Sequence, residues 1–499
     1  MNFNFDEFIK EYKNRLSNLF STNEEKHEDS LVRGIEPATF NSIMELAPLG
    51  AFIPSKYDGF GGHTSEALKM LEASSYESLP LSLMMGINGA LFLQPIANYG
   101  SEEAKSSIYD RVMHDKRMGG LMITEPDYGS DALKMQTSYT KQGDKYRIEG
   151  LKHWAGLTGM ADYWLMTARG KDKNGNLTRD ISFFVHDTRN GGIEVKEYYN
   201  NLGLYMLPYG KNKIDIQVDE SHKLEPASTG ITMMLDLLHR SRLQFPGMGM
   251  GFLKRMLDEA VNHCKERFVG GQSLFNYDQV KSRLSELQAY FTVCSAMCNF
   301  TGSNVPLERN TSKMDLEANA IKSVVTDFMQ RASQSLLQLT GAKGYRLDHI
   351  AGRSVVDSRP FQIFEGSNDI LYQQISESVM KMMRKVKSSN LYDFLSSYEL
   401  TTKSSDYFKE ALNFEVDTKM PQRKLVDLGK ALGRIISMEF TLNLGDQGFN
   451  RDLIQNAIET LQDEVNSIMS IFNNGGRASV VEDYEIESSW FNLQTLHAQ

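Results

Sequence analysis

Over the first 120 residues apolar positions recur every three or four residues, as in EALKMLEASSYESL and EEAKSSIYDRVM, and a glycine loop, Gly59-Phe60-Gly61-Gly62, interrupts them. That period predicts an all-α unit over 1–120. From about 121 to 225 it falls to two: YRIEG, DYWLMTA, ISFFVHD, GIEVKEY and NKIDIQV read as short strands, with Asn174-Gly175 as a turn. A small, barrel-like β domain over 121–225 follows. The helical period then returns in ITMMLDLLHRSRLQF, GFLKRMLDEAVNHCKERF, YDQVKSRLSELQAYFTVCSAMC and LEANAIKSVVTDFMQRASQSLLQL, the last closed by Gly341 and Gly344. Four such stretches predict a four-helix bundle over 226–385. Beyond the joint KVKSSN, residues 386–499 continue as a helical extension without an internal repeat. The fold class is mainly α with an inserted β domain.

One stretch departs from amphipathic patterning. No charge occurs from Ser78 to Ser101, long enough to cross a bilayer, but Pro80, Asn88, Gln94, Pro95 and Asn98 make it too polar. A buried core helix is expected instead, with no membrane span. The opening MNFNFDEFIKEYKNRL is interleaved with charge and lacks the basic head and apolar run of a secretion signal, so a cytoplasmic location is expected. With 499 residues, 41% hydrophobic and 24% charged, the chain is a folded, multidomain protein. Its 54 Lys and Arg against 64 Asp and Glu give a net charge of −10, which excludes nucleic acid as the main partner. Three cysteines, Cys264, Cys294 and Cys298, are too few for a disulfide framework or a structural metal site.

The segment opening the β block is dense in specific residues: Thr124-Glu125-Pro126, Gly129-Ser130-Asp131, Gly143-Asp144 with Tyr146, Gly150 with Lys152, Trp154, and Ala168-Arg169. A second cluster, Phe364-Glu365-Gly366-Ser367 with Ile370, lies in the bundle. In this order and spacing the chain resembles the acyl-CoA dehydrogenase flavoproteins over about residues 45–380. The resemblance implies FAD as cofactor, an acyl-CoA or acyl carrier protein thioester as substrate, a place in fatty acid metabolism and a homodimer. Either an electron-transfer flavoprotein or oxygen is then the electron acceptor.

The chemistry behind each part can be stated. Removing hydrogen from the α and β carbons of a thioester needs a base for the α-proton and a hydride acceptor, which no side chain supplies. Glu365, after the apolar Phe361, Ile363 and Phe364, is the candidate base, because desolvation raises a carboxyl toward working pH; in isolation the segment reads rather as a surface or capping Glu. The resemblance places the backbone N–H of Glu365 at the thioester oxygen, where negative charge develops. It also implies cofactor contacts from Leu121, Ile123, Thr124, Ser130, Trp154, Gly156, Arg267, Gln279, Gln338, Gly341, Ser367 and Asp369. Of these, Gln338 and Gly341 reach the cofactor of the neighbouring subunit. It implies substrate contacts from Ser130, Arg242 and Gly366, and a tail site lined by Gly86, Gly89 and Ala90. Without the resemblance, Thr124-Pro126 is a turn, Trp154 core, Arg267 a helix C-terminal cation and Gln338-Gly341 a capped helix end.

Three departures from the family pattern bear on function. Gly156 stands where a hydroxyl residue usually meets the reactive flavin nitrogen, as it tends to in acyl-CoA oxidases. Gly270-Gly271 replaces the Phe-Gly pair expected after Arg267, with one extra residue before Gln279. His239 stands three residues before Arg242, where an acidic residue is common. Dehydrogenation is the expected reaction, and the alternatives are an oxidase, a flavin monooxygenase on the same fold, or a structural protein that retained it. Glu459, Asp463 and Glu464, with no Lys or Arg, set LIQNAIETLQDEVNSIM apart from a membrane-binding helix. The extension is therefore expected to cover the bundle of a soluble dimer.

Overall fold

A computed structural model describes residues 4–20, 34–417, 419–474 and 479–482. Helices α1 (Phe5–Phe20), α2 (Pro37–Met44), α3 (Thr64–Glu77), α4 (Leu79–Asn88), α5 (Gln94–Tyr99) and α6 (Glu102–His114) build the first unit. A π-turn, Gly89–Leu93, joins α4 to α5. It lies just before Pro95, which can donate no hydrogen bond to the preceding turn and whose ring crowds it. The uncharged helix is buried from Leu79 to Ile96, as expected of a core element. Asn88 donates to the Met84 carbonyl and accepts from the Gly119 amide at 2.8 Å, tying this helix to the first strand. Close approach there needs glycine: a Cβ on Gly119 would stand 2.1 Å from the Phe92 ring.

The sheet runs β6-β7-β3-β2-β4-β5-β8, from β2 (Ser138–Gln142), β3 (Lys145–Gly156), β4 (Tyr163–Lys171), β5 (Leu177–Asp187), β6 (Ile193–Tyr198), β7 (Tyr209–Asp219) and β8 (Lys223–Leu224). Each expected strand segment lies in β3 to β7. Strand β1 (Gly119–Met122) runs parallel to β4 and, among the described residues, is paired along one edge only. The β3–β7 ladder slips between His153 and Ala155, a bulge with Trp154 at φ +54°.

The bundle departs from its expected segmentation. The first two apolar stretches are one helix, α7 (Gly230–Glu266), 37 residues long, with Pro246 inside it. Residues on both sides of Pro246 are buried, so packing holds the helix through the break that proline imposes. Helices α8 (Asp278–Asn304), α9 (Asp315–Thr340) and α11 (Asn368–Val386) complete the bundle, with α10 (Ile350–Ser358) leading into the α11 loop. Gly341, at φ +69°, caps α9.

The extension starts with the single-turn helices α12 (Leu391–Leu395) and α13 (Lys409–Leu412), then α14 (Gln422–Asp446) and α15 (Arg451–Asn474). Helix α14 packs on α8, α9 and α11, and α15 on α8 and α14, so the extension covers the bundle. The face Ile454, Ala457, Ile458, Leu461, Val465 and Met469 is the buried side of α15. That spacing of three and four places one apolar stripe against the bundle.

Candidate active site

Glu365 sits in the loop between the turn Arg359–Gln362 and α11. Phe361 and Phe364 pack at 5.0 Å between ring centroids, and Phe245 of α7 lies 5.9 and 6.2 Å from them, which fixes the loop from below. Glu365 (φ +54°) and Gly366 (φ +92°) are both left-handed. This costs a non-glycine residue on the order of 1–3 kcal/mol and turns the carboxylate back toward α7. There Ser241 Oγ donates to Oε1 at 2.9 Å, and Arg242 Nε donates to the Glu365 carbonyl at 3.0 Å. Arg242 is itself aimed by a 2.8 Å bond from Nη1 to Asn319 Oδ1. The other carboxylate oxygen, Oε2, is buried without a partner among the described residues. Burial pushes the Glu365 carboxyl above its ordinary range, and Arg242, Ser241 and Lys322 only partly oppose it.

A cavity of about 1080 Å³ opens in front of this carboxylate. One wall is the end of β1 and the turn after it, with Leu121, Ile123 and Thr124 facing in. The turn is held by Glu125, which accepts from the Gln136 and Thr137 amides at 2.5 and 3.0 Å and from Lys152 Nζ at 2.9 Å. Lys152, fully buried, also donates to the Ile123 carbonyl and to Thr167 Oγ1. Burial lowers the Lys152 ammonium to about 8. Burial works to raise Glu125, but Lys152 and the amides more than offset it. The motif residues Glu125 and Lys152 are thus scaffold for Ile123 and Thr124.

Trp154, on the bulge, lines the same cavity with its indole 52% exposed and its ring 4.5 Å from that of Tyr199. A large aromatic left open beside an unpaired strand edge is a surface on which a flat ring system can lie. Gly156 is closely packed there, since a Cβ would come within 2.9 Å of Ile87 Cδ1 and 3.3 Å of the Tyr209 ring. Ser130 and, from α11, Lys381 and Arg384 line the same cavity.

The tail-site expectation is corrected. Leu83, Ile87 and Leu91, four residues apart, face the cavity, opposite Met234, Leu235 and Leu238 of α7. Gly86, Gly89 and Ala90 do not line it: a Cβ on Gly89 would strike the Phe52 ring at 2.2 Å, and Gly86 faces Met248 and Leu71. A helix apolar on every side offers no stripe from which to read its facing, so small residues were a poor guide.

Leu121, Ile123, Thr124, Ser130, Trp154, Gly156, Arg242, Glu365 and Gly366 therefore meet in one cavity. Arg267, Gln279, Gln338 and Gly341 do not: they lie exposed at the C-cap of α7, the start of α8 and the end of α9. Ser367 and Asp369, at the N-terminus of α11, stand beside the base loop but do not line the cavity. Ser241, Asn319 and Lys322 escaped the sequence reading. Asn319, Lys322 and Thr326 are polar positions on the buried face of α9, a signal the pattern does contain. His239 lines the cavity with Nδ1 bonded to the Thr311 carbonyl, and burial lowers its pKa, so no acid occupies that place.

Models of the acyl-CoA dehydrogenase N-terminal, middle and C-terminal domains match residues 13–115, 120–215 and 228–380 in turn. The mitochondrial very long-chain specific acyl-CoA dehydrogenase of Rattus norvegicus is 23% identical over 372 residues, 73% of this chain. The match spans only 56% of that relative's length. A probable acyl-CoA dehydrogenase, YngJ, of Bacillus subtilis is 26% identical over 351 residues, covering 69% of this chain and 90% of the relative. In fold, the butyryl-CoA dehydrogenase of Megasphaera elsdenii superposes with a TM-score of 0.66 at 21% identity, over 76% of this chain and 100% of its own. An acyl-CoA dehydrogenase of Bacillus anthracis complexed with FAD reaches 0.79 at 16% identity, over 96% of this chain and 90% of its own. That match takes in the helical extension as well.

Proposed function

The chain belongs to the acyl-CoA dehydrogenase family, and from that premise we propose that it removes the α-proton and β-hydride of an acyl thioester, with Glu365 as the base. It is an oxidoreductase, and its cofactor is FAD. The observation that carries the reading is the Glu365 carboxylate: one oxygen is anchored by Ser241, and the other is buried, unpartnered and beside a large cavity. A carboxylate hydrogen-bonded on one oxygen and bare on the other is held oriented yet basic. The unpaired edge of β1 and the open face of Trp154 suit a planar cofactor at the opposite wall.

Bound there, FAD supplies the hydride acceptor that the side chains lack. The protein's own part is then specific. Glu365 Oε2 takes the α-proton. Arg242, bonded to the Glu365 carbonyl, and Asn319 hold the loop so that the Glu365 N–H meets the charge growing on the thioester oxygen. Leu83, Ile87 and Leu91 exclude water from the acyl chain, while Ser130, Lys381 and Arg384 receive the polar carrier, coenzyme A or the phosphopantetheine of a carrier protein. Arg267, Gln279, Gln338 and Gly341, remote from this cavity, act in the proposal on the cofactor of a second copy in a homodimer.

The test is anaerobic titration of the purified flavoprotein with a panel of acyl thioesters. Bleaching of the flavin by at least one of them is expected; a flavin that stays oxidised with all of them rejects the reading. Gly156 favours a second reading of the acceptor, because it offers no side-chain donor at the ring. Reoxidation of the bleached enzyme by air within one catalytic turnover supports the oxidase; a requirement for an electron-transfer flavoprotein supports the dehydrogenase.

A further inference from the structure

The extension is connected to Glu365 by one continuous set of buried polar groups. Arg434 of α14 is 1% exposed. It donates from Nη2 to Asp327 Oδ2 of α9 at 2.9 Å, from Nη1 to Tyr372 Oη of α11, and from Nε to Glu464 Oε2 of α15 at 3.0 Å. Tyr372 Oη donates to the same Asp327 oxygen at 2.6 Å. The other oxygen, Oδ1, accepts from Gln362 Nε2 and from Asn368 Nδ2, each at 2.8 Å. Gln362 lies three residues before Glu365 and Asn368 three after it. Asn368 Oδ1 in turn accepts from Lys322 Nζ at 3.0 Å, and Lys322 donates to the Gly366 carbonyl at 2.8 Å.

We propose that Arg434 is a positioning residue for Glu365, so that the extension belongs to the proton-abstracting machinery rather than only covering the bundle. The inference rests on Glu365 being the base. Its argument is one of charge and geometry. A single carboxylate, Asp327, grips both ends of the loop that carries Glu365 and Gly366 in their left-handed conformations. Such a backbone persists only where its surroundings over-determine it. Among the described residues the ion pair of Asp327 is with Arg434. Burial works to raise the Asp327 carboxyl, and Arg434 with Tyr372 more than offsets this, leaving it ionised below its ordinary range. A buried carboxylate deprived of its cation draws in water or takes a proton. In either case it no longer accepts cleanly from both amides, and the loop loses its two anchors together. Glu464 has the complementary task of orienting Arg434, sharing its second oxygen with Arg331 at 2.6 Å.

The experiment uses the full-length flavoprotein and two readouts: the limiting rate and half-saturation of anaerobic flavin reduction by a thioester, and backbone hydrogen exchange of residues 362–368. Arg434→Met should lower the limiting rate at least tenfold, leave half-saturation within about threefold, and speed exchange of the loop. Arg434→Lys should recover part of both. Phe440→Ala, on the same helix but stacked on Phe300 at 4.2 Å, should lower thermal stability while leaving rate and loop exchange unchanged. If Arg434→Met does not fold, Asp327→Ala with Arg434→Met removes both charges and the oxygen that accepts from Gln362 and Asn368, and the same losses are expected. Wild-type rate and exchange in either variant overturn the proposal. So does an equal loss in Phe440→Ala, since damage would then track stability alone. Failure of the wild-type flavin to be reduced overturns the reading of Glu365 as base, while the exchange data still decide whether Arg434 holds the loop.

Discussion

Two glutamates, Glu125 and Glu365, show how the same side chain is made into scaffold or into chemistry. Both are largely withdrawn from water, and both have a cation nearby. Glu125 has a hydrogen bond on each oxygen and a buried ion pair with Lys152, and its carboxyl titrates below the ordinary range. Glu365 has one oxygen bonded and one bare, and it titrates above that range. The cation near Glu365, Arg242, spends its Nε on the backbone carbonyl rather than on the carboxylate. Burial is common to the two; what separates them is how completely the charged form is satisfied.

Exchanging each for its amide breaks the comparison most sharply. Glu365→Gln keeps shape and burial but removes the base, so flavin reduction should fall by about 10⁴-fold, the upper end of what a general base contributes, with FAD absorbance retained. Single-turnover reduction measures it, and a rate within tenfold of wild type would refute the role. Glu125→Gln should do the reverse. It strands the Lys152 ammonium in the interior, costing about 3–5 kcal/mol, while protein that still folds reduces its flavin at close to the normal rate. Thermal unfolding of the holoprotein reads this as a melting point lower by about 10 °C.

Acid separates the two by sign. Glu365 must be deprotonated to act, so the reduction rate should fall as pH drops through its raised pKa, and this limb should vanish in Glu365→Gln. Because its folded pKa is raised, its contribution to stability is present at low pH and is lost as pH rises through that value; Glu365→Gln should therefore be relatively more stable than wild type at pH 8 than at pH 5. Glu125 is depressed, so its contribution is present above the unfolded pKa of about 4.3 and is lost only as pH falls below it. A rate that is flat from pH 5 to 8 would remove the distinction. The smallest effect expected is on specificity. Ile87→Phe, on the cavity wall, should shift preference toward shorter acyl chains by roughly 10-fold per excluded methylene, while Gly89→Phe, facing Phe52, should destabilise without moving the profile. A profile that follows Gly89 instead would restore the original tail assignment.

How far the sequence could be read follows from which contacts are local. The change of period near residues 121 and 226 reflects helix and strand geometry within single segments, and it follows the passage from helices to strands and back to helices. The motif residues of the β block lie within about thirty positions of one another, so Thr124, Ser130 and Trp154 could be placed in one site. Ser241 lies 124 positions from Glu365, and Lys322 lies 44 from Gly366. Contacts that cross helices at such separations leave no periodic trace. Proline misled in the opposite way: Pro246 reads as a break, yet the helix continues because its neighbours are packed on all sides.

That uninterrupted helix restricts how the chain can change over evolutionary time. Arg242 and Arg267 stand 25 positions apart along α7, about 38 Å at 1.5 Å per residue. Loops absorb inserted residues cheaply, as the additional position between Arg267 and Gln279 illustrates. A helix does not: one residue gained or lost between Pro246 and Glu266 swings everything beyond it by about 100° and would turn the Arg267 end out of phase with the Ser241-Arg242 end. Length variation among descendants of this chain should therefore gather in the loops flanking α7 and leave its interior untouched.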